Sequence, residues 1–141
     1  MEPLDVASLP DGALILVDSA PIIYTLESHP KLAERFAPLF AREERGEIAL
    51  AVSTVTIAEV LTGPFGAGEE ALARRYRAVL ESWQVIELTS EIAESAARLR
   101  AQYRLRLPDA IQLASALAIN ADALVTHDRD FGKVRGLRIL A

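Results

Sequence analysis

The sequence predicts an α/β domain built on a central, mostly parallel sheet flanked by helices. Three observations carry that prediction. Short apolar runs recur along the chain: ALILV (13–17), IALAVS (48–53), QVIEL (84–88) and ALVT (123–126). Each is mostly apolar at consecutive positions, as in a strand covered on both faces. Between the runs lie stretches with helical periodicity and helix-capping residues, and strands alternating with helices are the signature of crossover-connected parallel strands. With 141 residues, 51% of them hydrophobic, the chain is sized for one domain with a substantial core.

In chain order, residues 1–13 hold two Pro and a Gly and read as a tail, so the domain is placed at 14–141. The first strand, 13–17, leads into DSAPIIYTLE, where Asp18 or Ser19 caps a helix with Pro21 in its first turn. A second helix is predicted from about Lys31 to Arg45, kinked or split at Pro38 and ended by Gly46. After the second strand, Thr54 caps a helix to Leu61, closed by Gly63 and Pro64. Helix Glu69–Ser82, the third strand, helix Glu91–Arg104, a helix from Pro108 to Asn120 and the fourth strand come next. HDRDFGKVRG is a loop, and LRIL a last edge strand. Ala114, Ser115, Ala116 and Ala118 make the 108–120 helix thin enough to pack close to a sheet or a neighbouring helix.

Composition narrows the chemistry. With no Cys there is no disulfide and no thiolate metal site, which fits a reducing compartment. MEPLDVASLP has neither a basic nor an apolar signal region, and no uncharged stretch is long enough to span a bilayer, so a cytoplasmic protein without membrane association is expected. Twenty acids against 15 bases, net charge −5, argue against nonspecific coating of nucleic acid. The bases are nonetheless clustered. Arg74, Arg75 and Arg77 lie in one acid-free stretch, and Arg98, Arg100, Arg104 and Arg106 in another. Arg binds phosphate bidentately, so both are candidates to hold a nucleic-acid backbone, although solvated helix faces would look the same.

The acids are more informative. Ligand sites in open parallel sheets form beyond the carboxyl ends of the strands. Asp18 follows the first strand, Glu59 lies one turn into the helix after the second, Asp128 and Asp130 follow the fourth, and Asp109 opens the helix leading into it. Each has an ordinary structural role open to it. Asp18 suits a helix cap, Asp109 a helix N-terminus and Asp128 or Asp130 a turn. Glu59 fits none of these: among Val55, Ile57, Ala58, Val60 and Leu61 it is expected to be at least partly buried, with no Lys or Arg within four residues. Converging carboxylates about 6 Å apart repel by roughly 3 kcal/mol per pair at an effective dielectric near 20. A hard divalent cation held by oxygens, Mg²⁺ or Mn²⁺, is the simplest remedy. Zinc is not expected, because there is no Cys and the two His, His29 and His127, are far apart.

ILVDSAPIIYTLE, VSTVTIAEVLTG, LRLPDAIQLASAL and LVTHDRDFGKV resemble, in order and spacing, the four blocks of PIN-domain ribonucleases, in particular the VapC toxins of toxin–antitoxin pairs. The resemblance covers nearly the whole chain after residue 13, and PDAIQLASAL followed by LVTHDRDF is its most specific part. It implies a parallel sheet flanked by helices and Mg²⁺- or Mn²⁺-dependent endoribonuclease activity. The implied acidic site is Asp18, Glu59, Asp109 and Asp128, with Thr126 organising it and Ser19 offering a hydroxyl. It further implies a homodimer and an inhibitory antitoxin partner. Two departures stand out. The family commonly has Asp-Thr-Asn where this chain has Asp18-Ser19-Ala20, and HDRD supplies two acids, of which Asp128 is favoured over Asp130 because it lies two after Thr126.

Two other readings are open to the same sequence. One is a catalytically inactive PIN-fold binding protein. The other is a phosphoacceptor receiver-like domain, which wants an acidic pair after the first strand and a Lys after a late one. Asp18 has no acidic neighbour, and Lys133 is a poor match.

Overall fold

In the computed structural model, which describes residues 2–141 apart from the Arg129 side chain, five strands form one all-parallel sheet. They are β1 (Leu14–Val17), β2 (Ala49–Ser53), β3 (Gln84–Ile86), β4 (Ala123–Val125) and β5 (Arg138–Leu140), in the spatial order β3-β2-β1-β4-β5. Six helices connect them: α1 (Ser19–Leu26), α2 (Leu32–Glu44), α3 (Thr54–Gly66), α4 (Glu70–Glu81), α5 (Ser90–Tyr103) and α6 (Leu107–Ala118). The expected fold class is therefore what the chain adopts.

Side chains leave a strand alternately to its two faces, and the core divides accordingly. Ile15 and Val17 of β1, Leu50 and Val52 of β2, and Ala123 and Val125 of β4 pack with Ile22, Phe36, Leu39, Val60 and Leu80 from α1 to α4. Leu16, Ala51 and Leu124 point the other way, onto Ile92 and Ala96 of α5 and Ala110, Leu113, Ala114 and Ala116 of α6. Both faces are covered, which is why the strands read as continuous apolar runs. α6 is buried at every position from Asp109 to Ala116, and its small residues allow that.

The caps agree with the sequence apart from small shifts. Asp18 caps α1, its Oδ1 accepting the Ser19 N–H at 2.8 Å. Ser53, one residue before the expected Thr54, caps α3 through the Thr56 N–H. A split at Pro38 and a stop at Gly63 and Pro64 do not occur. α2 runs unsplit through Pro38, and α3 continues past Gly63 and Pro64 to Gly66. A proline deletes one donor and strains one turn. Burial of Phe36, Leu39 and Arg42 along α2, and of Val60, Leu61 and Pro64 along α3, offsets that loss. The chain leaves α3 only at Gly68, whose φ of +72° is strained for residues with a Cβ.

The segment before β1 has no strand or helix, but it is not loose. Leu4, Val6 and Leu9 are buried in the α1–α4 core, and the nearly buried Arg42 donates from Nη1 to the carbonyls of Val6 (2.8 Å) and Leu9 (2.7 Å). Met1, part of the expected tail, lies outside the described residues. The expected loop after β4 contains a 3₁₀ turn, Arg129–Lys133, and the fully buried Phe131 pins it to the α5–α6 core.

Candidate active site at the carboxyl ends of β1 and β4

The strand order reverses direction between β1 and β4: β2 and β3 extend to one side of β1, β4 and β5 to the other. The crevice beyond the carboxyl ends of two such strands is where open α/β sheets bind ligands. A cavity of about 670 Å³ lies there, lined by Asp18, Ser19, Glu59, Arg106, Asp109, Asp128, Tyr24 and His127 among others. Asp18, Glu59, Asp109 and Asp128 thus reach one cavity from four separate segments.

Asp18 is the best-held of them. Its Oδ1 accepts from the Ser19 N–H at 2.8 Å and from Gln112 Nε2 at 3.1 Å, and its Oδ2 accepts from Thr126 Oγ1 at 2.9 Å. Gln112 and Thr126 are both fully buried, so these donors are fixed by the core. Gln112 Nε2 is also 2.7 Å from Thr56 Oγ1, while its Oε1 is buried without a partner. Thr126 Oγ1 in turn accepts the Asp128 N–H at 2.9 Å, tying the loop after β4 to the carboxylate after β1.

Asp109 sits in the first turn of α6 and is 4% exposed. Burial pushes its carboxyl up to about 6; Arg106 opposes this, whereas the negative charges of Asp128 and Asp18 add to it. Asp128 behaves oppositely. Burial would raise it, but the Asp130 N–H, Asp109 and Arg106 together hold it below the usual carboxylate range. Arg106 bridges the two acids, Nε to Asp109 Oδ2 and Nη2 to Asp128 Oδ2, each at 3.0 Å.

Glu59 is a correction. The sequence places it partly buried in an apolar helix, but in the structure it is exposed. α3 buries only the face carrying Thr56, Val60, Leu61 and Pro64, and Glu59 and Thr62 face the cavity instead. Its Oε1 accepts from Ser19 Oγ at 2.5 Å. The carboxylate therefore escapes the desolvation that makes its position look anomalous in the sequence.

Asp130 does not line the cavity; it is exposed, and its backbone N–H caps Asp128 Oδ1 at 2.8 Å. The arginines separate. Arg74, Arg75 and Arg77 are exposed on α4, on one side of the sheet, and Arg77 pairs with Glu81 at 2.7 Å. Arg98, Arg100 and Arg104 are exposed on or just after α5, on the other side; Arg98 pairs with Glu94, and Arg100 Nε reaches the Leu105 carbonyl. Only Arg106 of the seven lines the cavity. Its place, three residues before Asp109 at the α6 N-cap, ties it to the acids.

Residues 15–137 match the sequence profile of the PIN domain. The chain belongs to the PIN-domain family. PIN domains are generally nucleases and generally use divalent metals. No curated protein matches the sequence. Among solved structures, the fold is similar to a toxin–antitoxin complex from Klebsiella pneumoniae, with 27% identity, a TM-score of 0.70 and coverage of 87% of this chain and 94% of that one. It is also similar to VapBC-1 from nontypeable Haemophilus influenzae (21% identity, TM-score 0.70, 89% and 96% covered). VapC20 of Mycobacterium tuberculosis, a toxin that cleaves the sarcin–ricin loop, shares the fold at 16% identity and a TM-score of 0.67 over 84% and 92%.

The donor chemistry of this PIN-domain cavity fits a hard dication. Its carboxylates present oxygen only, Asp109 is raised by burial and by its acidic neighbours, and the single Lys or Arg among the described residues that line the cavity, Arg106, is shared between two acids. As they stand, no three His, Asp or Glu side chains among the described residues are arranged to hold one ion.

Sequence reasoning misses three parts of the site. Gln112 sits in AIQLASALA as a polar residue in an apolar helix, the same signal that draws attention to Glu59. Tyr24, whose hydroxyl is 2.9 Å from His127 Nδ1, sits in the first block one helical turn beyond Ala20. Arg106 reads in the sequence as one more RNA-contacting base of its stretch, and its i−3 spacing to Asp109 is the available sign of another partner.

Proposed function

We propose that the chain is a Mg²⁺- or Mn²⁺-dependent endoribonuclease, the toxin of a VapBC-type toxin–antitoxin pair. The observation that carries this reading is the convergence of Asp18, Glu59, Asp109 and Asp128 on one open cavity at the β1/β4 reversal of a PIN-family sheet. Asp18 and Asp109 are the principal ligands, with Asp128 and Glu59 completing the set. Bound there, the dication would supply activation of water and neutralisation of charge on the phosphate oxygens.

The chain's own groups do the rest. Gln112, Thr126 and the Ser19 N–H hold Asp18 in one orientation. Ser19 Oγ steadies Glu59, which faces the cavity from α3 and is placed to orient the attacking water. Tyr24, braced by His127, forms part of the wall against which substrate lies. RNA is the substrate, and the exposed arginines of α4 and α5 are candidate backbone contacts. Similarity to toxin–antitoxin complexes supports an antitoxin partner, and the family resemblance supports a homodimer. Among the described residues no helix is long and apolar enough to cross a membrane, in keeping with the cytoplasmic setting proposed.

One observation favours the inactive PIN-fold reading: Arg106 already supplies a positive charge to Asp109 and Asp128. Against it, among the described residues no Lys or Arg pairs with Asp18 or Glu59. The receiver-like reading loses support. Receiver domains have the strand order 2-1-3-4-5, not the order found here, and Lys133 does not line the cavity. The test is incubation of the purified protein with cellular RNA and Mg²⁺ or Mn²⁺, with mapping of the new ends. Cleavage at defined sites, abolished by chelation and by Asp18→Asn, is expected, and growth arrest on expression should be relieved by the neighbouring reading frame. Intact RNA together with no Mn²⁺ binding in calorimetry would establish the inactive reading.

A further inference from the structure

Arg106 differs from the groups it bridges. Its side chain is 72% exposed, whereas those of Asp109 and Asp128 are 6% and 21% exposed. Its backbone is fixed as the N-cap of α6, so the guanidinium is tethered at the cavity mouth while the long side chain remains mostly in water. It gives one N–H to each carboxylate rather than a parallel fork to either. A pair whose cation is this exposed is weakened by water and salt, and among the described residues lining the cavity one guanidinium faces four carboxylates. A hard dication has the stronger claim on the same two oxygens. A guanidinium so displaced stays within reach of the cavity and has the geometry for phosphate.

We propose that Arg106 exchanges partners: it holds Asp109 and Asp128 while they are free of metal, and moves to a phosphate of the RNA when a divalent cation takes those carboxylates. The inference rests on reading the cavity as a metal-dependent ribonuclease site. It assigns Arg106 two linked roles, competitor for the metal and positioning residue for the substrate, and it sets this residue apart from the six other arginines of the two basic stretches.

The test is calorimetric Mn²⁺ titration of wild type, Arg106→Ala and Arg106→Lys, with no RNA present. It is paired with fluorescence-anisotropy binding of a short single-stranded RNA in Ca²⁺ across a salt series. Arg106→Ala is expected to bind Mn²⁺ about three- to tenfold more tightly. The same variant should bind RNA more weakly, with a salt dependence reduced by about one phosphate contact. Arg106→Lys keeps the charge without the planar bridge, so its Mn²⁺ affinity should fall between the other two. Equal Mn²⁺ affinity in wild type and Arg106→Ala, with the wild type binding Mn²⁺, overturns the exchange and leaves the nuclease reading standing. So does equal affinity in wild type and Arg106→Lys, which would trace the effect to net charge alone, or unchanged RNA binding in Arg106→Ala. Failure of the wild type to bind Mn²⁺ overturns both.

Discussion

The two sides of the acidic cavity are built differently. On the β1 side, Asp18 accepts hydrogen bonds from a backbone N–H and from two fully buried side chains, Gln112 and Thr126. On the α6 side, Asp109 and Asp128 are bridged by one guanidinium that is itself mostly in water. The first carboxylate is set by the core, and the pair is held by a contact that solvent, salt or a stronger cation can replace. On the proposed metal-dependent reading, such a site would keep one ligand in place and let the cation draw in the others.

The largest effect expected is on the rigid side. Asp18→Asn keeps the volume and the α1 cap oxygen but removes the anchoring charge. RNA cleavage should fall by about a thousandfold or more, as loss of several kcal/mol of charge stabilisation demands, and endpoint assays of labelled RNA will read it. Retention of activity would remove Asp18 from its place as the fixed ligand. Next is Gln112→Leu, which leaves the carboxylate in place and deletes one donor that orients it. A ten- to hundredfold loss of metal affinity or activity is expected, while stability stays within about 1 kcal/mol because the orphaned Oε1 disappears as well. An unchanged Mn²⁺ affinity would mean Asp18 needs no such support.

The α6 side is best probed without metal. Asp109 titrates near 6 in the folded protein, above its ordinary value of 3.8. Below 3.8 it is protonated in both folded and unfolded chains and contributes nothing. As pH rises toward 6 the unfolded chain ionises first, so stability falls, and above 6 the loss is complete, at most about 3 kcal/mol. Asp128, with its folded value lowered, works in the opposite sense, contributing stability that is lost as pH falls. Asp109→Asn should therefore make the metal-free protein more stable at about pH 7 than the wild type, by about 1–3 kcal/mol in chemical denaturation, and flatten the pH profile between about 4 and 6. It should also abolish cleavage. A less stable variant near neutral pH would show that the Arg106 bridge outweighs the burial of Asp109. The smallest effect belongs to the remote arginines: Arg74→Ala or Arg75→Ala should weaken RNA binding slightly at all sequences and lower the salt slope by less than about one contact, while leaving Mn²⁺ affinity unchanged.

How far the sequence can be read depends on how local each signal is. The strands are legible because burial on both faces forces continuous apolar runs, and the register-level split of Ile15 and Val17 from Leu16 comes from strand geometry alone. The prolines mislead, since Pro38 and Pro64 act against local helix propensity while Phe36, Leu39, Val60 and Leu61 act through tertiary burial. Asp18 and Asp128 are legible because a parallel sheet gathers at one end the residues that its strands lead into, and Asp109 because an acid suits the N-terminus of the helix that leads back into β4. Glu59 is found for a wrong reason: its helix is apolar, but only one face of it is covered. Gln112 and Arg106 are hidden because their roles are relations across 94 and 22 residues, to Asp18 and Asp128. Residue type alone does not disclose such a relation.

Anomalous diffraction from a crystal of the protein soaked in Mn²⁺ tests the central claim most directly. A peak bounded by Asp18, Asp109 and Asp128, with the Arg106 guanidinium no longer between the latter two, is the predicted result. A cavity free of anomalous signal at saturating Mn²⁺, with Arg106 still bridging Asp109 and Asp128, would contradict it.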